Sequence, residues 1–222
     1  MKLVTFDHIL TVPITYARAP VAPYGTMGKG PRSVRLEVEF HRQLEACLRQ
    51  LWEQHSWGKP KALVSGGCYV QKAGRHGEGR AIDIDALWWQ GTKTAPKARP
   101  LVTLQAPQEP VLYLGVEAVL RQHFGTVLNY WFGHGHEDHW HVDNGQLVAW
   151  TGKPPTVHCQ TLFLQAALRY VWLTPNISID GALGQRTRGG LRALGYSFSA
   201  KTATEEWPRF LDATAKHAFS RL

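Results

Sequence analysis

The chain has few cysteines and no long apolar segment, and these absences exclude several classes of protein. Its 222 residues include only three cysteines, and no two of them form a CxxC pair. Three thiols are too few for a disulfide scaffold, and without a CxxC pair a structural zinc knuckle is not expected. No apolar run approaches the roughly 18 residues that cross a bilayer, which excludes an integral membrane protein.

A secretory signal and a block of basic residues are also missing. The segment from Met1 to His8 reaches Asp7 without a sustained apolar core, so no signal peptide is predicted. The net charge of +8 is spread along the chain. It favours anionic partners such as nucleic acid, acidic lipid or a bacterial wall, but the chain lacks the basic block typical of a nucleic-acid arm.

Hydrophobic periodicity divides the chain into two units, residues 1–151 and 156–222, joined by a Gly-Lys-Pro-Pro linker at 152–155. In the first unit, helices are predicted from Phe40 to Trp52 and from Val116 to Phe124. A proline-rich surface loop is predicted at residues 91–110. Strands are expected at 9–15, 62–65 (ended by Gly66 and Gly67), 81–89, 139–143 and 146–150. The second unit is helical only, with helices predicted at 162–171, 187–194 and 207–219.

The strongest chemical signal is a histidine cluster between residues 134 and 143. His134, His136, His139 and His141 are four of the chain's eleven histidines and fall within eight positions. On a strand, side chains two residues apart point to the same face, so His139 and His141 project together. This pair suits one metal, or one metal and one catalytic group.

A second signal lies upstream, where His76 and Asp83 flank small residues at 77, 79 and 81. The small residues let the backbone fold tightly, so both side chains can approach one centre. His76, Asp83 and His141 then form a set of two nitrogens and one carboxylate oxygen. Three protein ligands with one position left to water are typical of a catalytic zinc site.

These two motifs, His76-x-x-Gly79-x-Ala81-x-Asp83 and Asp138-His139-x-His141, resemble those of a group of zinc peptidases. The group includes lysostaphin-type enzymes, D-Ala-D-Ala metallopeptidases and murein endopeptidases, and within it the chain is most similar to the extensin-like C-terminal domain. The resemblance covers roughly residues 36–145 and includes Ser65 to Cys68. It departs from the group at Gly74, where many relatives have serine, and at Asp138, where carboxypeptidase members have glutamate.

The resemblance implies an α+β fold in which a small antiparallel sheet, flanked by helices, carries the zinc site. It implies His76, Asp83 and His141 as zinc ligands, with His139 and Asp138 as candidates for proton transfer. His136 or His139, as a charged histidine, is the candidate for stabilising the oxyanion. Trp140 and Arg75 are candidate substrate contacts. Asp85, on the same strand face as Asp83, is either a partner that orients a ligand histidine or a plain polar position.

The C-terminal segment carries a second resemblance. Asp180, Gly181, Gly184 and Thr187 match the Asp-Gly-x-x-Gly-x-x-Thr turn of the three-helix peptidoglycan-binding domain. The turn is also a structural device, because glycines allow tight backbone angles and threonine favours a helix start. The resemblance implies that residues 156–222 form a helical domain that binds peptidoglycan.

Together these features predict a zinc metallopeptidase that hydrolyses peptide bonds in peptidoglycan stem peptides or cross-links. Without a signal peptide, it is expected to be made in the cytoplasm and to act on the cell wall after release by a holin or an export machine. A phage endolysin and an injected antibacterial effector both fit. The alternatives are a metal-dependent nuclease and a non-catalytic wall-binding protein; nucleic acid is not the expected partner.

Overall fold

A mixed sheet of seven strands organises the described part of the chain. The structure is a computed structural model and describes residues 2–54, 57–89, 99–133, 135–151, 156–199 and 201–222. The sheet contains β2 (His8–Ile9), β3 (Val12–Thr15), β5 (Ala62–Gly67), β6 (Ala81–Trp89), β7 (Arg99–Val102), β8 (Thr126–Leu128) and β9 (Trp140–Asp143), while β1 (Leu3–Phe6) and β4 (Val34–Glu37) form a separate two-stranded ribbon. The strand order is β2-β3-β5-β6-β9-β8, with β7 paired to the second half of β6.

The sequence predicted a small antiparallel sheet, and this prediction is wrong in two respects. The sheet has seven strands, and one of its strand pairs is parallel. The N-terminal segment contributes β3, which pairs with β5 in parallel. Ile9, Val12 and Ile14 are fully buried, and this apolar surface draws the segment into the sheet. The coarser description, a mixed fold of helices and one main sheet, is confirmed.

One predicted strand boundary and one predicted strand also differ from the structure. β5 continues through Gly66 and Gly67, and glycine is needed at position 66 because a side chain there would overlap the Arg18 guanidinium and the Asp85 carboxylate. No strand forms over 146–150. β9 is already paired with β6 on one edge and β8 on the other, so a following hairpin strand has no free edge to join.

The first two helices pack on each other and form the centre of the core. α1 (Val38–Gln54) buries the predicted apolar stripe, including Phe40, Leu44 and Leu51. α2 (Pro110–His123) begins earlier than predicted, with Pro110 in the first turn, where the missing N–H costs little. It is buried around most of its circumference, as expected of a helix with neighbours on several sides.

Helices cover all three C-terminal segments where helices were predicted, but a separate three-helix domain is not confirmed. The helices are α3 (Thr156–Ala166), which continues into a π-helical turn (Ala167–Val171), α4 (Gln185–Ala193) and α5 (Ala203–Phe219). They share one hydrophobic core with the first unit, and Gly115 of α2 lies directly against Ala218 and Phe219 of α5. The predicted linker at 152–155 lies outside the described residues. No helix in the described ranges is both long and apolar enough to span a membrane.

Candidate metal centre

Neighbouring strands place Asp83 and His141 opposite each other. β6 and β9 are antiparallel, and Asp83 is the direct partner of His141 in their register. Directly opposed side chains on one face of such a pair have Cβ atoms roughly 5 Å apart. The Asp83 Oδ1 atom lies 2.9 Å from His141 Nδ1. Strand pairing alone therefore brings together two of the three predicted ligands.

The third predicted ligand, His76, comes from the tight loop before β6. A Cβ atom at Gly77 would overlap the backbone carbonyl of Lys72, and Gly79 has a φ of +67°, so glycine is required at both positions. His76 is buried, and its Nε2 lies 3.2 Å from Asp83 Oδ1 and 3.2 Å from His141 Nδ1. The small residues noted in the sequence therefore do allow the predicted close approach.

Hydrogen bonds at the far side of each ring orient both histidines. His76 Nδ1 lies 2.7 Å from the carbonyl oxygen of Cys68, which can only accept, so this nitrogen carries the proton. His141 Nε2 lies 3.2 Å from a carboxylate oxygen of Asp143. Each hydrogen bond leaves the other nitrogen of its ring facing the centre. Metal-binding histidines are usually oriented in this way, by a partner that accepts a hydrogen bond from the far side of the ring.

The spacing of the three facing atoms fits a small tetrahedral cation. Zinc bonds of about 2.0–2.1 Å at tetrahedral angles place ligand atoms about 3.3 Å apart. The three separations here are 2.9, 3.2 and 3.2 Å, and the three residues form a cluster able to hold a metal ion. Two imidazoles and one carboxylate are also donors that zinc accepts.

Mutual hydrogen bonds shift the pKa values of Asp83 and His141 in opposite directions. Burial raises the pKa of Asp83, but hydrogen bonds from His141 and His76 outweigh it and hold that pKa well below its usual range. Burial lowers the pKa of His141, but Asp143 and Asp83 outweigh it and raise the pKa to about 9. His141 therefore favours its protonated form at neutral pH, and a metal ion that binds this ring displaces a proton.

His139 faces the same centre from beside the ligand set. Its Nε2 lies 3.5 Å from Asp83 Oδ1, and its Nδ1 lies 2.6 Å from Asp138 Oδ1. Since the carboxylate holds the proton on Nδ1, Nε2 carries the lone pair, and it lies between Asp83 at 3.5 Å and His136 at 3.1 Å. Asp138 is therefore placed to orient His139, and His139 is the better placed of the two to exchange a proton with a substrate.

His136 is adjacent to His139, and it is one of the two histidines that the sequence offered as the charged group. Its Nδ1 lies 3.1 Å from His139 Nε2. Burial, together with the nearby His139 and His141, lowers the pKa of His136 to about 4, so its ring is neutral at pH 7. His136 can therefore act on a substrate only as a neutral hydrogen-bonding group.

Arg18 is a site residue that the sequence analysis missed. Its guanidinium makes two 2.7 Å hydrogen bonds to the buried carboxylate of Asp85 and lies 3.2 Å from Asp138. Asp85 therefore binds Arg18 and does not orient a ligand histidine, which was one of the two roles open to it from the sequence. The chain of contacts from Asp85 through Arg18 and Asp138 ends at His139.

The structure does not support the two predicted substrate contacts. Trp140 is fully buried and stacks on Tyr113 at 4.3 Å between ring centroids, because it occupies the core-facing side of β9. Arg75 is bonded to Glu78 at 2.6 Å and lies against Gly145, so its guanidinium is already engaged. His134 lies outside the described residues.

One of the missed residues carried a signal in the sequence. Asp143 lies two residues after His141, and the strand periodicity that pairs His139 with His141 also puts Asp143 on that face. The Cys68 contact uses a backbone carbonyl, which no residue type reveals. Arg18 lies 67 residues before Asp85, and nothing in the local sequence connects them.

Comparisons with protein-family models, curated proteins and solved structures found no match to this chain.

Proposed function

We propose that the protein is a zinc-dependent peptidase that hydrolyses peptide bonds in peptidoglycan stem peptides or cross-links. The observation that carries this proposal is the convergence of His76, Asp83 and His141 on one point, with His139 beside it. The motif resemblance described above supports the peptidoglycan substrate. The alternative of a nuclease gains no specific support from the described residues.

His76 Nε2, Asp83 Oδ1 and His141 Nδ1 are the atoms that would hold the zinc. When bound, zinc supplies Lewis-acid polarisation and lowers the pKa of water from 15.7 to about 7. His139 Nε2 takes the proton of the attacking water and returns it to the leaving amine. Asp138 stabilises the positive charge that His139 gains, and Arg18 holds Asp138 in place.

The C-terminal helices are proposed to hold the enzyme on the wall, which raises its local concentration there. Gln165, which is buried, accepts hydrogen bonds from the backbone of Asp180 and Gly181 at 2.9 and 2.8 Å. Its amide nitrogen lies 2.7 Å from Asp180 Oδ1. The turn that resembles the peptidoglycan-binding domain therefore has a structural role here, and binding to glycan is a separate proposal.

Digestion of purified sacculi by the zinc-loaded protein tests the proposed activity. We expect mass spectrometry to detect new muropeptide ends, a chelator to abolish them and added zinc to restore them. DNA incubated in parallel should stay intact. If zinc-loaded protein leaves sacculi unchanged, the peptidase proposal is wrong; sedimentation with sacculi in that case would favour the non-catalytic wall-binding alternative.

Replacing His139 with alanine is expected to separate catalysis from metal binding. General acid–base groups contribute roughly 10²–10⁴-fold, so kcat should fall by that factor while zinc affinity stays unchanged. The measurements are hydrolysis rates and zinc competition titrations. His8, which pairs with Asp7 outside the centre, provides the control variant His8→Ala. A large loss of zinc affinity would instead make His139 a fourth ligand and contradict its role as base.

Replacing Arg18 with glutamine is expected to lower kcat about 10-fold or more without changing zinc affinity or KM. Loss of the guanidinium frees Asp138, and His139 is then held less firmly in its productive orientation. Arg18→Lys keeps the charge but not the two-pronged contact to Asp85, so an intermediate kcat is expected. Equal changes in kcat and zinc affinity would show that Arg18 only maintains the fold.

A further inference from the structure

A groove lies beside the proposed metal centre and uses none of its three ligand atoms. It has a volume of about 210 Å³ and lies between the end of β3, residues 32–35 and residues 65–70. Two contacts connect its wall to the centre: Gly67 is the strand partner of Asp83, and the Cys68 carbonyl accepts the His76 hydrogen bond. A molecule in the groove would therefore lie next to the ligand set.

Two arginines line this groove with their charges unpaired. The guanidinium of Arg32 lies 4.3 Å from the ring centre of Tyr16, and that of Arg35 lies 4.3 Å from the ring centre of Tyr69. Both arginines are exposed, and no lining residue is acidic. Within the described ranges neither guanidinium forms an ion pair, whereas Arg18 and other arginines do.

Contact with an aromatic ring face leaves the N–H edge of a guanidinium open to a ligand. An arginine stacked on an aromatic ring has fewer conformations to lose, and its N–H groups lie at the edge of the plane, away from the ring. This planar fork matches a carboxylate, which can accept two hydrogen bonds from it. Two such forks on one wall suit a ligand that carries more than one carboxylate.

We propose that this groove binds the carboxylate-bearing part of the peptide substrate, through Arg32 and Arg35. This inference rests on the proposed function, since it names the part of the substrate that the peptidase recognises. A peptide with free carboxylates should bind, and the same peptide with those groups amidated should bind much less tightly. The lining includes two arginines and no lysine, which favours a short peptide with carboxylates over a polyphosphate chain.

The test is a calorimetric titration of the zinc-loaded full chain with a soluble stem tripeptide that carries free side-chain carboxylates. Its amidated form is titrated in parallel. The double variant Arg32→Gln/Arg35→Gln should bind the acidic peptide about tenfold more weakly than the wild type does. Its affinity for the amidated peptide should equal that of the wild type. Arg42→Gln/Arg49→Gln removes the same charge from the exposed face of α1 and should change neither affinity.

Equal affinity of the wild type for the two peptides, or no loss in the Arg32/Arg35 variant, would overturn the groove proposal. Tighter binding of a DNA oligonucleotide than of the acidic peptide, lost in the same variant, would also overturn it. Failure of the peptidase proposal has a different signature. The acidic peptide would then bind in an arginine-dependent way, while zinc-loaded wild type would leave sacculi undigested.

Discussion

Replacing His141 with alanine is expected to abolish both zinc binding and hydrolysis. His141 supplies one of the three atoms that converge within 3.2 Å of each other. Removing an outer partner of a metal ligand usually costs roughly 10–100-fold in affinity, so loss of the ligand itself should exceed about 100-fold. Zinc content after dialysis against a competing chelator, and digestion of sacculi, measure the two effects.

Asp143 provides a graded counterpart, because it touches His141 and not the centre. Asp143→Asn should weaken zinc binding by roughly 10–100-fold and leave the fold intact. The control His8→Ala removes a histidine outside the centre and should retain full zinc content. If His141→Ala binds zinc as tightly as the wild type, the three residues are not the metal site and the proposed mechanism fails.

Replacing Glu117 with glutamine is expected to reduce the free energy of unfolding by about 3–5 kcal/mol. Glu117 and Arg121 are completely buried on α2, and Arg121 Nε donates to Glu117 at 2.8 Å. The substitution keeps the side-chain volume but leaves the Arg121 charge without its partner. Urea unfolding followed by tryptophan fluorescence measures the change, and the melting temperature should fall by roughly 10 °C.

The double variant Glu117→Gln/Arg121→Met separates the charge effect from packing. It removes the unpaired cation, so it should be more stable than Glu117→Gln alone. A loss below about 1 kcal/mol in the single variant would show that the pair contributes little.

Glu117 also accepts hydrogen bonds from Asn129, which in turn caps the short helix Tyr130–Phe132 before His136. Partial disorder at the rim of the centre is therefore expected as well.

Residue spacing was a sound guide where the relevant geometry is local. The period of a strand predicted that His139 and His141 share a face, and the small residues at 77 and 79 predicted a tight loop around His76. Both features depend on backbone geometry within a few residues. The apolar stripe of α1 was predicted for the same reason, since helical spacing determines which side chains face the core.

Tertiary structure decided what lies between distant segments. Residue type suggested Trp140 as a substrate contact, but its strand position turns it into the core against Tyr113. The sequence after Gly145 is compatible with a hairpin strand, yet both edges of β9 are occupied. Such outcomes depend on which segments compete for the same edge or cavity, and no local pattern encodes that competition.

The sequence by itself determined the chemical inventory of the centre: two imidazoles and a carboxylate as candidate ligands, with a third imidazole beside them. Only the tertiary structure decided how these groups are oriented. The Cys68 carbonyl, Asp143 and Arg18 come from separate parts of the chain and fix the rings and the Asp138 carboxylate. Ring orientation depends on hydrogen bonds across the fold, whereas the identity of a donor atom belongs to the residue itself.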